Sequence, residues 1–461
     1  MILLKKPING LFILMASMLL NLPIFLIAQG AKESIPKRIS IMPLQGTVPS
    51  TGTVKVKVTS GNKDCIFNGN KVHYKFTINN TYSTPQEGTL IYEIITDKNK
   101  KLFGGKYLIR VDAKNSLNIN ASFKITNPGF YDIVTKVNLT DYDDTIKTVF
   151  GYKPLLIKTA LHKPDDFDKF WQDTRKELNA IAPNYTLEYS NELSTPTHKL
   201  YNVSFQSLDN ITIHSWLSVP RLPGSYPVMV VMPGYKQKVK PFFAEDQAIF
   251  CILVRNTNDL IKAGKNLNEE NEFCIFNIAT KNDFIYRGVV MDCLRSMDLI
   301  FSLSQMGLDT KRVFLSGGSQ GGALSLITAS LDHRIAICET ENPVFCDFFN
   351  YYGIASTKTP NEFPYVYYAK TKIPWKQLMS VLSYFDVQNF VSNIECPCMF
   401  AIGTRDPIAP PTCIYAAYNK LNEITKKMSE INVLNIGHET TKEYLSLKNL
   451  WIDENIVSVR H

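Results

Sequence analysis

The chain has 461 residues, 45% of them hydrophobic and 20% charged, which excludes collagen-like and wholly disordered architectures and allows two domains with a large buried core. The formal charge of +8 is thinly spread with no long basic run, and it falls further once Lys5 and Lys6 are set aside, so nucleic acid is not an expected partner. Nine cysteines are an odd number at low density, and most sit in apolar runs such as Ile249-Phe250-Cys251-Ile252-Leu253, so they read as small buried hydrophobes. Cys396 and Cys398 are too close for a Cys-x-x-Cys pair and no histidine lies near them, so no metal is expected.

Residues 1–30 read as a secretory signal. Lys5 and Lys6 precede the apolar run Leu11–Leu20, and Ala28-Gln29-Gly30 offers small residues at a cleavage point. Asn21 and Pro23 interrupt the run and no basic stop follows, which argues against a membrane anchor. The expected location is secreted or periplasmic.

Residues 31–153 are expected to form an all-β domain. Val54, Val56 and Val58 alternate with lysines, and Val72, Tyr74, Phe76 and Ile78 alternate with polar residues. Further strands are predicted at 89–95, 107–112, 121–126, 130–137 and 146–150, with turns at Asn68-Gly69, Gly104-Gly105 and Pro128-Gly129. Seven short strands at this spacing predict an immunoglobulin-like sandwich that carries no catalytic group and serves for packing or spacing.

The pattern changes at 154–461. The segment Asp165-Asp166-Phe167-Asp168-Lys169-Phe170-Trp171 opens a helix, and a hairpin over 199–219 turns at Asp209-Asn210. Apolar strands are predicted at 228–232, 249–254, 312–316, 335–338, 399–403 and 431–436, with helices at 283–305 and 320–331. Continuous apolar strands alternating with helices predict an α/β fold with a doubly wound, mostly parallel sheet.

Gly317-Gly318-Ser319-Gln320-Gly321 is a Gly-x-Ser-x-Gly sequence between an apolar strand and a helix, the setting of a nucleophile elbow. A serine nucleophile needs a base. Of seven histidines, only His438 and His461 lie beyond the elbow with room for an acid between, and His461 is the terminal residue. His438 is therefore the candidate base. Ten acids lie between Ser319 and His438, and Asp406 stands just past the 399–403 strand, where sites form in parallel sheets. Asp386 is the runner-up, but no strand leads into it. The oxyanion donors are expected to be the main-chain N–H groups of Gln320 and Tyr235.

These residues resemble the acetyl xylan esterase / cephalosporin-C deacetylase family, carbohydrate esterase family 7 of the α/β-hydrolases, over about 160–461. The likeness rests on Asp166-Phe167-Asp168 with Phe170-Trp171, Tyr286-Arg287 with Asp292, the Gly-x-Ser-Gln-Gly elbow and Tyr384-Phe385-Asp386. It continues through Gly403-Thr404-Arg405-Asp406 with Pro410-Pro411, Ala416-Ala417-Tyr418-Asn419 and His438-Glu439. The resemblance implies Ser319 as nucleophile, Asp406 as acid, His438 as base, and Tyr235 and Gln320 as oxyanion donors. It further implies removal of acetyl or other small acyl groups from carbohydrate esters, without cofactor or metal, by an enzyme that packs as a ring-like homo-oligomer unless the N-terminal domain blocks or replaces that packing. Two family motifs are altered: His-Gly-Tyr is Pro233-Gly234-Tyr235 here, and Arg-Gly-Gln is Arg255-Asn256-Thr257. A serine peptidase with a β-propeller in front would need a seven- or eight-blade repeat, which about 120 residues do not hold. A non-catalytic carbohydrate-binding relative would not need an intact Ser/Asp/His set.

Overall fold

The computed structural model describes residues 52–458 apart from 63, 263, 265–269 and 359–370. The signal-like segment 1–30 and His461 lie outside the described residues.

Eight strands occupy the N-terminal region: β1 (Val54–Ser60), β2 (Ile66–Phe67), β3 (Val72–Asn80), β4 (Gln86–Thr96), β5 (Lys101–Val111), β6 (Ser116–Phe123), β7 (Gly129–Leu139) and β8 (Tyr142–Tyr152). They form a three-stranded sheet ordered β1-β3-β6 and a five-stranded sheet ordered β2-β8-β7-β4-β5, antiparallel except for the short β2–β8 pair. Alternation places Val72, Tyr74, Phe76 and Ile78 of β3 in one core with Leu90, Ile94, Ile133 and Phe150 of the other sheet. The expected Gly104-Gly105 turn is instead the middle of β5. A Cβ at Gly104 would lie 2.2 Å from the Tyr92 carbonyl oxygen, and one at Gly105 would lie 2.5 Å from the Tyr92 ring. These glycines serve close cross-strand approach rather than chain reversal.

The remaining strands form one nine-stranded sheet, ordered β17-β16-β15-β14-β12-β13-β11-β10-β9. They are β9 (Thr186–Tyr189), β10 (His198–Gln206), β11 (Thr212–Pro220), β12 (Tyr226–Met232), β13 (Ala248–Leu253), β14 (Leu308–Gly318), β15 (Ile337–Glu341), β16 (Cys398–Gly403) and β17 (Glu430–Leu434). β12 to β17 run parallel, and β9 to β11 form an antiparallel meander joined to β13. After β12 the chain first goes to one side of that strand and then to the other, which makes a topological switch point.

Helices cover both faces. They include α1 (Phe167–Ala180), α2 (Thr257–Lys262), α3 (Ile285–Phe301), α4 (Gln320–Leu331), α5 (Phe348–Lys358), α6 (Trp375–Leu382), α7 (Pro411–Tyr418), α8 (Glu423–Met428) and α9 (Lys442–Ser458). On one face α9 seats Tyr444, Trp451, Ile452 and Ile456 against Phe314, Ile337, Met399 and Ala401. The larger core on the other face takes in α1, α3, α4 and α7 together with Ile66, Phe130 and Val149 from the N-terminal strands. Phe130 meets Tyr415 of α7 with ring centroids 5.6 Å apart, and Asn419 Nδ2 donates to the carbonyls of Pro154 and Ile157 at 3.0 Å each. Among the described residues, no helix is long and apolar enough to cross a membrane.

Candidate active site

The elbow follows from its glycines. A Cβ at Gly317 would sit 2.5 Å from the Gly321 carbonyl carbon, and one at Gly321 would sit 2.2 Å from the Met232 carbonyl oxygen. Only glycine at both lets β14 turn directly into α4 beside β12. Gly318 has no such neighbour; its nearest Cβ contact would be an ordinary 3.7 Å. Ser319 is held at φ 56° and ψ −119°, a conformation costing a non-glycine residue on the order of 1–3 kcal/mol. Its N–H donates to the Glu341 carbonyl at 2.8 Å, and its carbonyl accepts from Val344 and Ala323 N–H at 3.2 Å each.

Ser319 and His438 line one open cleft of about 740 Å³, with Tyr235, Asn342, Ile408 and Glu439 around them. The cleft sits at the carboxyl ends of the parallel strands, beside the switch point. His438 Nδ1 and Asp406 Oδ2 are 2.6 Å apart. The Asp406 carboxylate is buried, and its Oδ1 accepts the N–H groups of Ile408 at 2.8 Å and Ala409 at 2.9 Å. Its own loop thus fixes the carboxylate and leaves Oδ2 for the imidazole.

Asp386 sits differently. Its Oδ1 accepts from Asp347 N–H at 2.9 Å and Gln388 N–H at 3.0 Å, and its Oδ2 accepts from Phe348 N–H at 2.8 Å. Burial first, then the neighbouring Asp347 charge, push its carboxyl up to about 7 against those three donors. It fastens the start of α5 rather than orienting a histidine.

Tyr235 and Gln320 flank the elbow. Gln320 is the first residue of α4, where main-chain N–H groups lack intrahelical acceptors. Its side chain has a part that the spacing argument does not anticipate. Tyr286 Oη donates to Gln320 Oε1 at 2.7 Å, and Gln320 Nε2 donates to the Pro233 carbonyl at 3.4 Å, tying the 233–235 loop to the elbow. Behind this loop, Arg255 is buried against Asp292. Its Nε donates to Oδ2 at 2.9 Å and its terminal nitrogen to Oδ1 at 2.8 Å. A Cβ at Gly288 would lie 2.0 Å from the guanidinium, so the helix offers a glycine where the arginine passes. One wall of the cleft is ionic: Lys448 Nζ bonds Glu341 at 2.7 Å and stands 3.6 Å from buried Glu339, which accepts from the hydroxyls of Ser316 and Tyr444.

A mostly parallel sheet with its cleft at the switch point and a serine at a strand–helix elbow defines an α/β-hydrolase. Residues 155–453 match the family model described as acetyl xylan esterase (AXE1). The chain belongs to the acetyl xylan esterase family, and is by that membership a carboxylic ester hydrolase of carbohydrate acetyl esters. Acetyl esterase Axe7A of Xylanibacter ruminicola is 27% identical over 399 residues, 84% of this chain and 86% of that protein. The alignment is longer than the stretch from residue 155 to the C terminus, so it extends into the N-terminal strands. An acetyl xylan esterase from Paenibacillus sp. R4 is 25% identical with a TM-score of 0.56, covering 66% of this chain and 98% of that one. Acetyl xylan esterase 1 from Thermoanaerobacterium sp. JW/SL YS485 shares the fold at 21% identity and a TM-score of 0.57, covering 66% of this chain and 97% of its own.

Proposed function

We propose that Ser319, His438 and Asp406 are the catalytic triad of a secreted or periplasmic esterase that removes acetyl groups from acetylated xylan or xylo-oligosaccharides. The observation that carries the reading is the 2.6 Å contact of Asp406 with His438 in the cleft that also holds the elbow serine. The name of the Axe7A relative, an acetyl esterase, agrees with the acyl group. Ser319 Oγ attacks the ester carbonyl carbon while its proton passes to His438 Nε2. Asp406 accepts a hydrogen bond from the Nδ1–H, fixing the tautomer and stabilising the imidazolium. The N–H groups of Gln320 and Tyr235 receive the developing oxyanion. The tetrahedral intermediate collapses, and the sugar hydroxyl leaves with the proton returned by His438. Water, activated by the same base, then releases acetate. None of these steps calls on a metal or cofactor.

In the same reading, residues 1–30 are the export signal, 31–153 an immunoglobulin-like module, and 154–461 the catalytic domain. The two sheets sharing one core support the module. Ser319→Ala tests the function. Acetate release from acetylated xylo-oligosaccharides should disappear while the protein stays folded, and a variant keeping a tenth of the activity would refute the assignment.

A further inference from the structure

Asn342 follows β15, is only 5% exposed and has a left-handed φ of 43°. Its main-chain N–H donates to the Ala401 carbonyl at 2.9 Å. Its side chain uses both ends of the amide: Oδ1 accepts the Gly403 N–H at 2.7 Å, and Nδ2 donates to the Glu439 carbonyl at 3.4 Å. Glu439 follows His438, and Gly403 stands three residues before Asp406. On either side of Asn342, Glu341 and Val344 make the main-chain bonds that hold Ser319. The Asn342 side chain thus joins the acid and histidine loops, and the main chain on either side of it holds the serine.

The surroundings are stiff enough for such a link to matter. A Cβ at Gly403 would lie 2.4 Å from the Gly437 carbonyl oxygen and 2.9 Å from that of Ile436, and Arg405 N–H donates to the Ile436 carbonyl at 2.9 Å. The acid and histidine loops are clamped together, and Asn342 is the tie from that clamp to the serine loop. The position asks for a residue that tolerates a left-handed backbone and supplies an acceptor and a donor at once. Asparagine meets all three demands. Aspartate lacks the donor, glycine lacks both groups, and apolar residues also oppose the backbone.

We propose that Asn342 is a positioning residue, touching no reacting atom, that holds Ser319 in register with the Asp406–His438 pair. The proposal rests on the triad assigned above. Asn342→Gly keeps the backbone conformation and removes both side-chain bonds. It should lower kcat for p-nitrophenyl acetate by roughly tenfold to a hundredfold, the cost of a small misplacement of reacting groups, with KM little changed. Asn342→Asp keeps the acceptor at Gly403 and loses the donor to Glu439, so its kcat should fall between those of Asn342→Gly and the parent. A parent-like kcat in Asn342→Gly, even with a lower Tm, would make Asn342 purely structural and overturn the proposal. Should Asn342→Gly not fold, the same result in Asn342→Asp decides it. Labelling by a serine-directed fluorophosphonate separates the two levels. Slower labelling at Ser319 in the variants supports the positioning role. Absence of label at Ser319 in the parent would refute the triad itself, and this role with it.

Discussion

The N-terminal strands and the nine-stranded sheet both carry left-handed non-glycine backbone at exposed positions, such as Asn99 in one and Asn184 and Lys372 in the other, but among the described residues only the second region also buries it. In the first region, left-handed non-glycine residues such as Asn99 and Lys114 sit at exposed turns between strands. In the second, Ser319 after β14 and Asn342, Phe345 and Asp347 after β15 are left-handed, and the last three are buried. A left-handed residue at a hairpin tip is a local cost of turning. The same conformation in a buried loop persists only because its surroundings over-determine it, and such positions concentrate where groups must be aimed.

The largest expected effect tests that contrast directly. Ser319→Ala should reduce ester hydrolysis by on the order of 10⁶ with little change in Tm, and His438→Ala should be nearly as severe, since the two act as one unit. Asn99→Gly at an exposed turn should change neither kcat nor KM. Steady-state assays on one acetyl ester suffice, and comparable losses at Ser319 and Asn99 would erase the distinction.

A second pair compares two buried carboxylates. Asp406→Asn should cost roughly 10⁴ in kcat by upsetting the imidazole tautomer. Asp386→Asn should leave the chemistry in place, because Asp386 spends its oxygens on main-chain donors. Its signature is expected in stability instead. Its folded-state value of about 7 lies above the ordinary aspartate range, so the folded protein holds this proton where the unfolded chain has released it. Stability from this group is therefore full below the unfolded value and declines as pH rises toward about 7. Thermal melts of the parent should show that decline, and Asp386→Asn should flatten it. Loss of activity in Asp386→Asn with Asp406→Asn unaffected would reverse the two roles.

The parts of the site legible in the sequence were those whose chemistry is local. Gly317 and Gly321 announce the elbow because backbone contact forbids any side chain there, and Asp406 is findable because an unbroken apolar strand leads into it. Asn342 gave no signal: Glu341-Asn342-Pro343 reads as an ordinary turn, and the amide acquires its role only when β16 and the histidine loop arrive beside it. The side chain of Gln320 was hidden for the same reason, its partners Tyr286 and Pro233 being distant in sequence. In the fold, β2 is two residues long and carries no periodicity. The start of β5 was masked by Gly104-Gly105, a pair that mimics a turn while allowing a cross-strand contact with Tyr92. Among the described residues of 348–458, α5, α7 and α9 show little apolar periodicity of their own, although Pro410-Pro411 does mark the start of α7.

The smallest expected effect on catalysis concerns the boundary between the two regions. Residues 52–152 hold none of the proposed triad, yet Phe130, Ile66 and Val149 belong to the same core as α7. α7 begins five residues after Asp406, and Thr412 within it donates to Asp97 from the β4–β5 turn. The N-terminal strands therefore brace the helix that follows the acid loop. Asp406 itself is held by Ile408 and Ala409 N–H, upstream of that helix, so the bracing should reach the carboxylate only weakly. Phe130→Ala removes a ring that is 2% exposed and should lower stability by about 3–5 kcal/mol, read as a fall in Tm. Well below the melt, kcat and KM for a small acetyl ester should stay at parental values. A chain beginning near Lys153 should behave in the same direction, with a larger loss of stability and measurable activity. A large fall in kcat for Phe130→Ala at unchanged Tm would show instead that the N-terminal strands help to shape the acid loop, and would join the two regions into one catalytic unit.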